Sequence, residues 1–98
     1  TKFYAALNEL NEHETEIKGL RKDGKNEEAA KYLQENPDAR LFKMANKVDL
    51  EVQKMRRIKR EMVATNAPAE RVKALEERIT LTMKRFNEMV ERQKHATQ

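Results

Sequence analysis

A dense cluster of cationic side chains lies between Lys54 and Arg60, where five of seven residues are basic. Cations at this density are suited to neutralising nucleic-acid phosphates. The predicted phosphate contacts are Lys54, Arg56, Arg57, Lys59 and Arg60. No aromatic residue lies among them to stack on a base. The alternative interpretation is a solvated helix face whose charges pair with carboxylates such as Glu76, Glu77 or Glu88.

The two histidines, His13 and His95, are the candidates for metal binding. Glutamates flank His13 at positions 12, 14 and 16, but the surrounding sequence has no pair of strong ligands of the HExxH kind. Cysteine is absent from the chain. We expect both histidines at the surface, and the sequence predicts no metal site.

No catalytic arrangement is indicated by the carboxylates. Glu76 and Glu77 are adjacent, so they point in different directions on a helix, and each has a basic residue within helical reach. General acid–base catalysis needs a cleft that shifts the pKa of the catalytic group. Neither a glycine-rich phosphate loop nor a nucleophile elbow is present. The sequence therefore predicts that the protein is not an enzyme and has no cofactor.

Helical periodicity dominates the second half of the chain, where apolar residues recur at steps of three or four. The first stripe contains Leu41, Met44, Val48, Val52, Met55, Ile58 and Met62. The second stripe contains Val72, Leu75, Ile79, Met83, Phe86 and Met89. Because only 65–68 separates the two stripes, they should form an antiparallel hairpin. The predicted fold is all-α, with two short helices followed by a long, coiled-coil-like helical hairpin.

The predicted helices span about 2–23, 27–35, 38–64 and 68–93, and the residues after Arg92 should fray. Gly24 is expected to end the first helix in a left-handed conformation. Asn26 and Asn36 are the expected caps of the second and third helices. Along the first helix, Glu14 should interrupt an otherwise apolar stripe.

Composition limits the size of the core. The chain has 98 residues, of which 38% are hydrophobic and 39% charged, so it forms at most one small domain with narrow apolar seams. We expect residues 1–98 to be a single module and a segment, C-terminal in position, of a longer chain. No apolar run approaches the roughly 20 residues that span a bilayer.

Apolar residues beside the two stripes predict a protein interface, because the first helix is not expected to cover both long edges of the hairpin. The predicted interface residues are Phe42, Val63 and Val90, and the expected result is a homo-oligomer.

The order of features resembles the helical large polyvalent protein-associated domains of very large phage proteins. The resemblance rests on Phe3–Leu10, on Leu20–Gly24, on Ala29–Pro37, and on the basic helix and the proline-started turn that follow. Such domains include parts of internal virion and ejection proteins of short-tailed phages.

The resemblance implies a structural or assembly role in virion assembly and genome ejection, with no catalytic residue. The implied partners are portal, tail or core proteins and further copies of the chain. The implied location is the virion interior or tail lumen, and the host cytoplasm during assembly. Two alternatives remain: a small basic protein that contacts DNA non-specifically, and a general coiled-coil interaction module.

Overall fold

The computed structural model describes residues 1–96, which contain four α-helices, one 3₁₀ turn and no strand. The helices are α1 (Lys2–Lys22), α2 (Asn26–Glu35), α3 (Phe42–Ala64) and α4 (Ala69–Lys94), and the 3₁₀ turn is Pro37–Leu41. The predicted all-α class is confirmed, although α1, at 21 residues, is not short. The third helix begins later than predicted, because 38–41 forms the 3₁₀ turn. Residues 93 and 94 are helical rather than frayed, and the rest of that prediction lies partly outside the described residues.

The ends of α1 and α3 share one backbone motif, in which a left-handed residue ends the helix. Gly24 has φ +76°, and the N–H of Lys25 donates to the carbonyl of Leu20 at 2.8 Å. At the end of α3, Asn66 has φ +57°, and the N–H of Ala67 donates to the carbonyl of Met62 at 2.8 Å. Both motifs stop a helix and turn the chain back on itself.

The main core lies where α1 packs on the hairpin formed by α3 and α4. It contains Phe3, Leu7, Leu10, Ala45, Val52, Met55, Ile79, Phe86 and Val90. The rings of Phe3 and Phe86 meet edge to face with centroids 5.8 Å apart, an arrangement that aromatic pairs prefer. A second cluster of Ile17, Ala39 and Phe42 joins the far end of α1 to the 3₁₀ turn.

Side-chain contacts between α3 and α4 show the relative direction of the two helices. Lys59 of α3 lies beside Glu76 of α4, and Arg56 lies beside Met83, so the two helices are antiparallel. The N-terminus of α1 reaches only the middle of the hairpin. The base of the molecule is therefore a layer of α1, α3 and α4, whereas the turn end, here called the hairpin tip, consists of α3 and α4 alone within residues 1–96. Beyond Arg56, α3 extends about 12 Å further.

Two of the predicted interface residues are buried, and their expected exposure is wrong. Phe42 packs in the second cluster, and Val90 packs in the main core. The reason is that α1 lies over the seam of the hairpin, while the 3₁₀ turn closes the lower end. Conversely, Met44 and Ile58 of the predicted stripe are exposed.

Candidate functional site

An open groove lies between α3 and α4 at the hairpin tip, where α1 does not cover the seam. Its volume is about 760 Å³. Its apolar lining, here called the floor, consists of Val63, Ala64, Ile79 and Met83. Its polar lining, here called the rim, consists of Arg56, Lys59, Arg60, Glu76 and Thr80. We call these nine residues the tip groove; three of them are cationic and one is acidic.

The five residues of the basic cluster have different surroundings. The guanidinium of Arg56 lies over the ring of Tyr4, 5.3 Å from its centroid, which is a cation–π arrangement. Lys59 pairs with Glu76 at 3.4 Å, as the alternative interpretation expected. The other three, Lys54, Arg57 and Arg60, surround a shallow second depression on the outer face of α3. Among residues 1–96, no carboxylate lies within 4.0 Å of their charged nitrogens.

Val63 is the one predicted interface residue that faces solvent, with 58% of its surface exposed. It lies in the floor of the tip groove. The structure thus places Val63 together with three of the predicted phosphate-contacting residues, namely Arg56, Lys59 and Arg60. It does not bring Phe42 or Val90 to this surface.

A second group of polar residues lies at the opposite end of the molecule, where four elements meet. Glu9 and His13 are one turn apart on α1, Tyr32 comes from α2, Asp38 from the 3₁₀ turn and Lys94 from the end of α4. We call these five residues the buried polar cluster, after its two buried members His13 and Asp38; the other three are partly exposed. His13 is only 9% exposed and Asp38 4% exposed, so the expected surface position of His13 is wrong.

Distances within the buried polar cluster are short. Nδ1 of His13 lies 2.6 Å from the hydroxyl of Tyr32. Nε2 of His13 lies 3.5 Å from Oδ2 of Asp38 and 3.7 Å from Oε1 of Glu9. The second oxygen of Glu9, Oε2, accepts a hydrogen bond from Nζ of Lys94 at 3.2 Å. The imidazole is therefore held on one side by a hydroxyl and faces two carboxylates on the other.

The electrostatic environment of this cluster is acidic. Burial raises the pKa of Tyr32 above its ordinary value, and the carboxylates of Glu16 and Asp38 raise it further. The pKa of Lys94 is also raised: burial alone would lower it, but the hydrogen bond and charge of Glu9 outweigh that effect. Both shifts favour positive or neutral groups, as expected near an excess of carboxylates.

Sequence reasoning missed the buried polar cluster, although part of the signal was present. His13 lies three residues after Leu10 and four before Ile17, which is the phase of the buried face of α1. His13, and not Glu14, is thus the polar residue in the stripe. Glu9 and His13 are also an i, i+4 pair, which places both side chains on one helix face. Nothing in the local sequence indicated that Asp38 would be buried beside them.

No protein-family model, no curated protein and no solved structure matches this chain. Among residues 1–96, no helix is both long enough and apolar enough to cross a bilayer.

Proposed function

We propose that this chain is a non-enzymatic assembly module whose tip groove binds an amphipathic helix with acidic flanks on a partner protein. The observation that carries the proposal is the composition of the groove, which is open to solvent and combines an apolar floor with a mainly cationic rim. Amphipathic helices bind such grooves through apolar anchors spaced one helical turn apart. Acidic residues beside those anchors would face Arg56 and Arg60.

The net charge of the rim determines which charge the partner helix should have. Glu76, the single carboxylate of the rim, is paired with Lys59, so its charge is largely compensated. Arg56 and Arg60 then leave the rim positive, which attracts an acidic segment and repels a basic one. The floor contains Met83, whose flexible side chain can adapt to different apolar anchors.

We place this module in an internal virion or ejection protein of a phage, where the partner is a portal, tail or core protein. The support is the resemblance of the sequence features described above, together with an elongated shape of 54 × 30 × 16 Å. The length of the parent polypeptide tests this placement. A very large virion protein is expected, and a stand-alone reading frame of 98 residues would contradict it.

The groove is tested with two synthetic helices that share one apolar face and differ only in flanking charge. Fluorescence anisotropy should detect binding of the glutamate-flanked helix and little binding of the lysine-flanked one. Val63→Asp should weaken binding about 10-fold or more, equivalent to about 1.4 kcal/mol. Arg60→Glu should weaken it and reduce its dependence on salt.

Leu81→Asp is the matched control, because it introduces the same charge at an exposed apolar position of α4 outside the groove. It should leave binding unchanged. Equal binding of the two helices, or normal binding by Val63→Asp, would contradict the proposal. Sedimentation at high protein concentration tests whether the groove binds a second copy of the chain instead. An oligomer that dissociates in the Val63→Asp variant would assign the groove to that second copy.

Non-specific binding of nucleic-acid phosphates is a second candidate function. It is supported by Lys54, Arg57 and Arg60, which recur every three residues along α3 and have no carboxylate of residues 1–96 within 4.0 Å of their charged nitrogens. An antiparallel hairpin contacts the phosphate backbone in this way without reading base edges. This function would be independent of the apolar floor of the tip groove.

A further inference from the structure

Two buried polar atoms face each other in the buried polar cluster, and neither has a hydrogen-bond partner among residues 1–96. They are Nε2 of His13 and Oδ2 of Asp38, 3.5 Å apart. That separation exceeds the roughly 2.7–3.2 Å of an N–H···O hydrogen bond. Leaving a buried polar group without a partner is costly, so such a pair calls for a ligand between or beside the two atoms.

The spacing of the surrounding donors matches the coordination sphere of a metal ion. One oxygen of Glu9, Nε2 of His13 and one oxygen of Asp38 all lie within 4.8 Å of one another. Ligands about 2.1 Å from a tetrahedral ion lie about 3.4 Å apart. The two distances from Nε2 of His13, 3.5 Å and 3.7 Å, are close to that value. Glu9 is partly exposed, so a small rotation of its side chain would complete the set.

We propose that Glu9, His13 and Asp38 bind a divalent transition-metal ion, with Zn²⁺ as the expected occupant. One imidazole nitrogen and two carboxylate oxygens are a donor set that Zn²⁺ accepts. Three protein ligands leave a position for water. The ion would link the middle of α1 to the 3₁₀ turn, two elements that otherwise meet through the second apolar cluster.

Tyr32 supports the ligand role of His13. When Nε2 binds a metal, Nδ1 carries the proton of the imidazole and needs an acceptor. The hydroxyl oxygen of Tyr32, 2.6 Å from Nδ1, is in position to accept that proton. Such a hydrogen bond fixes the orientation and tautomer of a metal-binding histidine.

Lys94 does not block the site. Its ammonium group contacts Oε2 of Glu9, whereas Oε1 of the same carboxylate faces His13. The two oxygens of Glu9 can therefore serve two cations at once. The contact with Lys94 also holds the carboxylate of Glu9 in its orientation toward the imidazole.

The test is direct titration of the metal-free protein with Zn²⁺ by calorimetry, and with Co²⁺ by visible absorption. We expect one ion per chain, with Co²⁺ bands that report nitrogen and oxygen ligands. Asp38→Asn, His13→Gln and Glu9→Gln should each lower the affinity for Zn²⁺ strongly. Tyr32→Phe should lower it about 10- to 100-fold without abolishing it, as for other hydrogen bonds to a metal ligand.

His95→Gln provides the matched control. His95 also lies one turn from a glutamate, with Nε2 3.7 Å from Glu91, but both side chains are exposed, and within residues 1–96 no third potential ligand completes a metal-binding group with them. Its replacement should not change the stoichiometry or the affinity. Circular dichroism checks that each variant is folded, and Glu9→Gln, at the exposed side, is the variant least able to disturb the core. Absence of saturable binding by the unmodified protein, or unchanged binding by Glu9→Gln and Asp38→Asn, would overturn the proposal.

Discussion

The hydroxyl of Tyr32 is, with the ammonium group of Lys94, one of two groups of the buried polar cluster whose raised pKa influences stability at alkaline pH. Its raised pKa means that the folded chain holds the phenolic proton more tightly than the unfolded chain does. By linkage, this contribution to stability is complete below the unfolded pKa of about 10. It is lost as the pH rises through the folded pKa.

Tyrosinate absorbance measures this shift in the Tyr4→Phe variant, in which Tyr32 is the single tyrosine. We expect Tyr32 to titrate above pH ~10 in the folded protein and at about 10 in denaturant. The free energy of unfolding should also fall more steeply between about pH 9 and about pH 11 in Tyr4→Phe than in the double variant Tyr4→Phe/Tyr32→Phe. Identical slopes for the two variants would show that Tyr32 is as accessible in the folded chain as in the unfolded one.

For single residues, the spacing of apolar side chains predicts which positions are buried, but it does not predict which side chains contact each other. The spacing of Leu10 and Ile17 places His13 on the buried face of α1. The hydroxyl of Tyr32 and the carboxylate of Asp38 reach it from elements that begin 13 or more residues further on. Which of those polar side chains would meet His13 depends on the path of the chain after Gly24, and local periodicity does not specify that path.

The helical hairpin is the element on which the stability of the base depends. Met55 is 7% exposed and packs against α1 and α4, whereas Arg57, two residues further on, faces solvent. A helix turns by about 200° over two residues, so these neighbours lie on nearly opposite faces. Their substitution therefore tests the assignment of the buried face.

Met55→Asp should destabilise the protein by about 3–5 kcal/mol, because it buries an unpaired carboxylate. The expected drop in Tm is more than about 12 °C for a domain of this size. Arg57→Ala should change stability by less than about 0.5 kcal/mol. Leu81→Asp places the same carboxylate at an exposed apolar position and should cost little; a large loss there, or in Arg57→Ala, would contradict the assigned helix phase.

The hairpin was predictable from sequence because two long stripes and a four-residue connection leave few alternatives. The position of α1 was not. Its stripe is compatible with either edge of the hairpin or with the seam between α3 and α4. The structure places it on the seam, where Phe3 contacts Phe86 and Glu14 receives a hydrogen bond from Asn46. With α1 in this position, Phe42 and Val90 are buried and the tip groove stays open to solvent.

Charge is unevenly distributed over the whole molecule. Residues 1–37 contain six basic and eight acidic side chains, whereas residues 38–98 contain fifteen basic and nine acidic ones. The acidic side chains of α1 lie at the base near the buried polar cluster, and the basic cluster lies on the hairpin. Any polyanion would therefore approach the hairpin and avoid the face of α1.

Binding to double-stranded DNA should accordingly be weak, indifferent to sequence and steeply dependent on salt. Replacing Lys54, Arg57 and Arg60 by Gln should lower the slope of log affinity against log salt by about one per lost phosphate contact. Replacing Lys73, Lys84 and Arg85 of α4 by Gln removes the same three positive charges from another surface. This control should change the slope less. No detectable binding even at low salt would contradict this second candidate function, and the basic cluster would then serve solubility and pairing between helices.

The contact between Glu9 and Lys94 joins side chains that are 85 positions apart in the chain. During synthesis at roughly 5–20 residues per second, about 4–17 s pass between the appearance of one and the appearance of the other. Through that interval the apolar face of α1, with Phe3, Leu7 and Leu10, has no α4 to cover it. This apolar face is therefore open to aggregation or to a chaperone until α4 has left the ribosome.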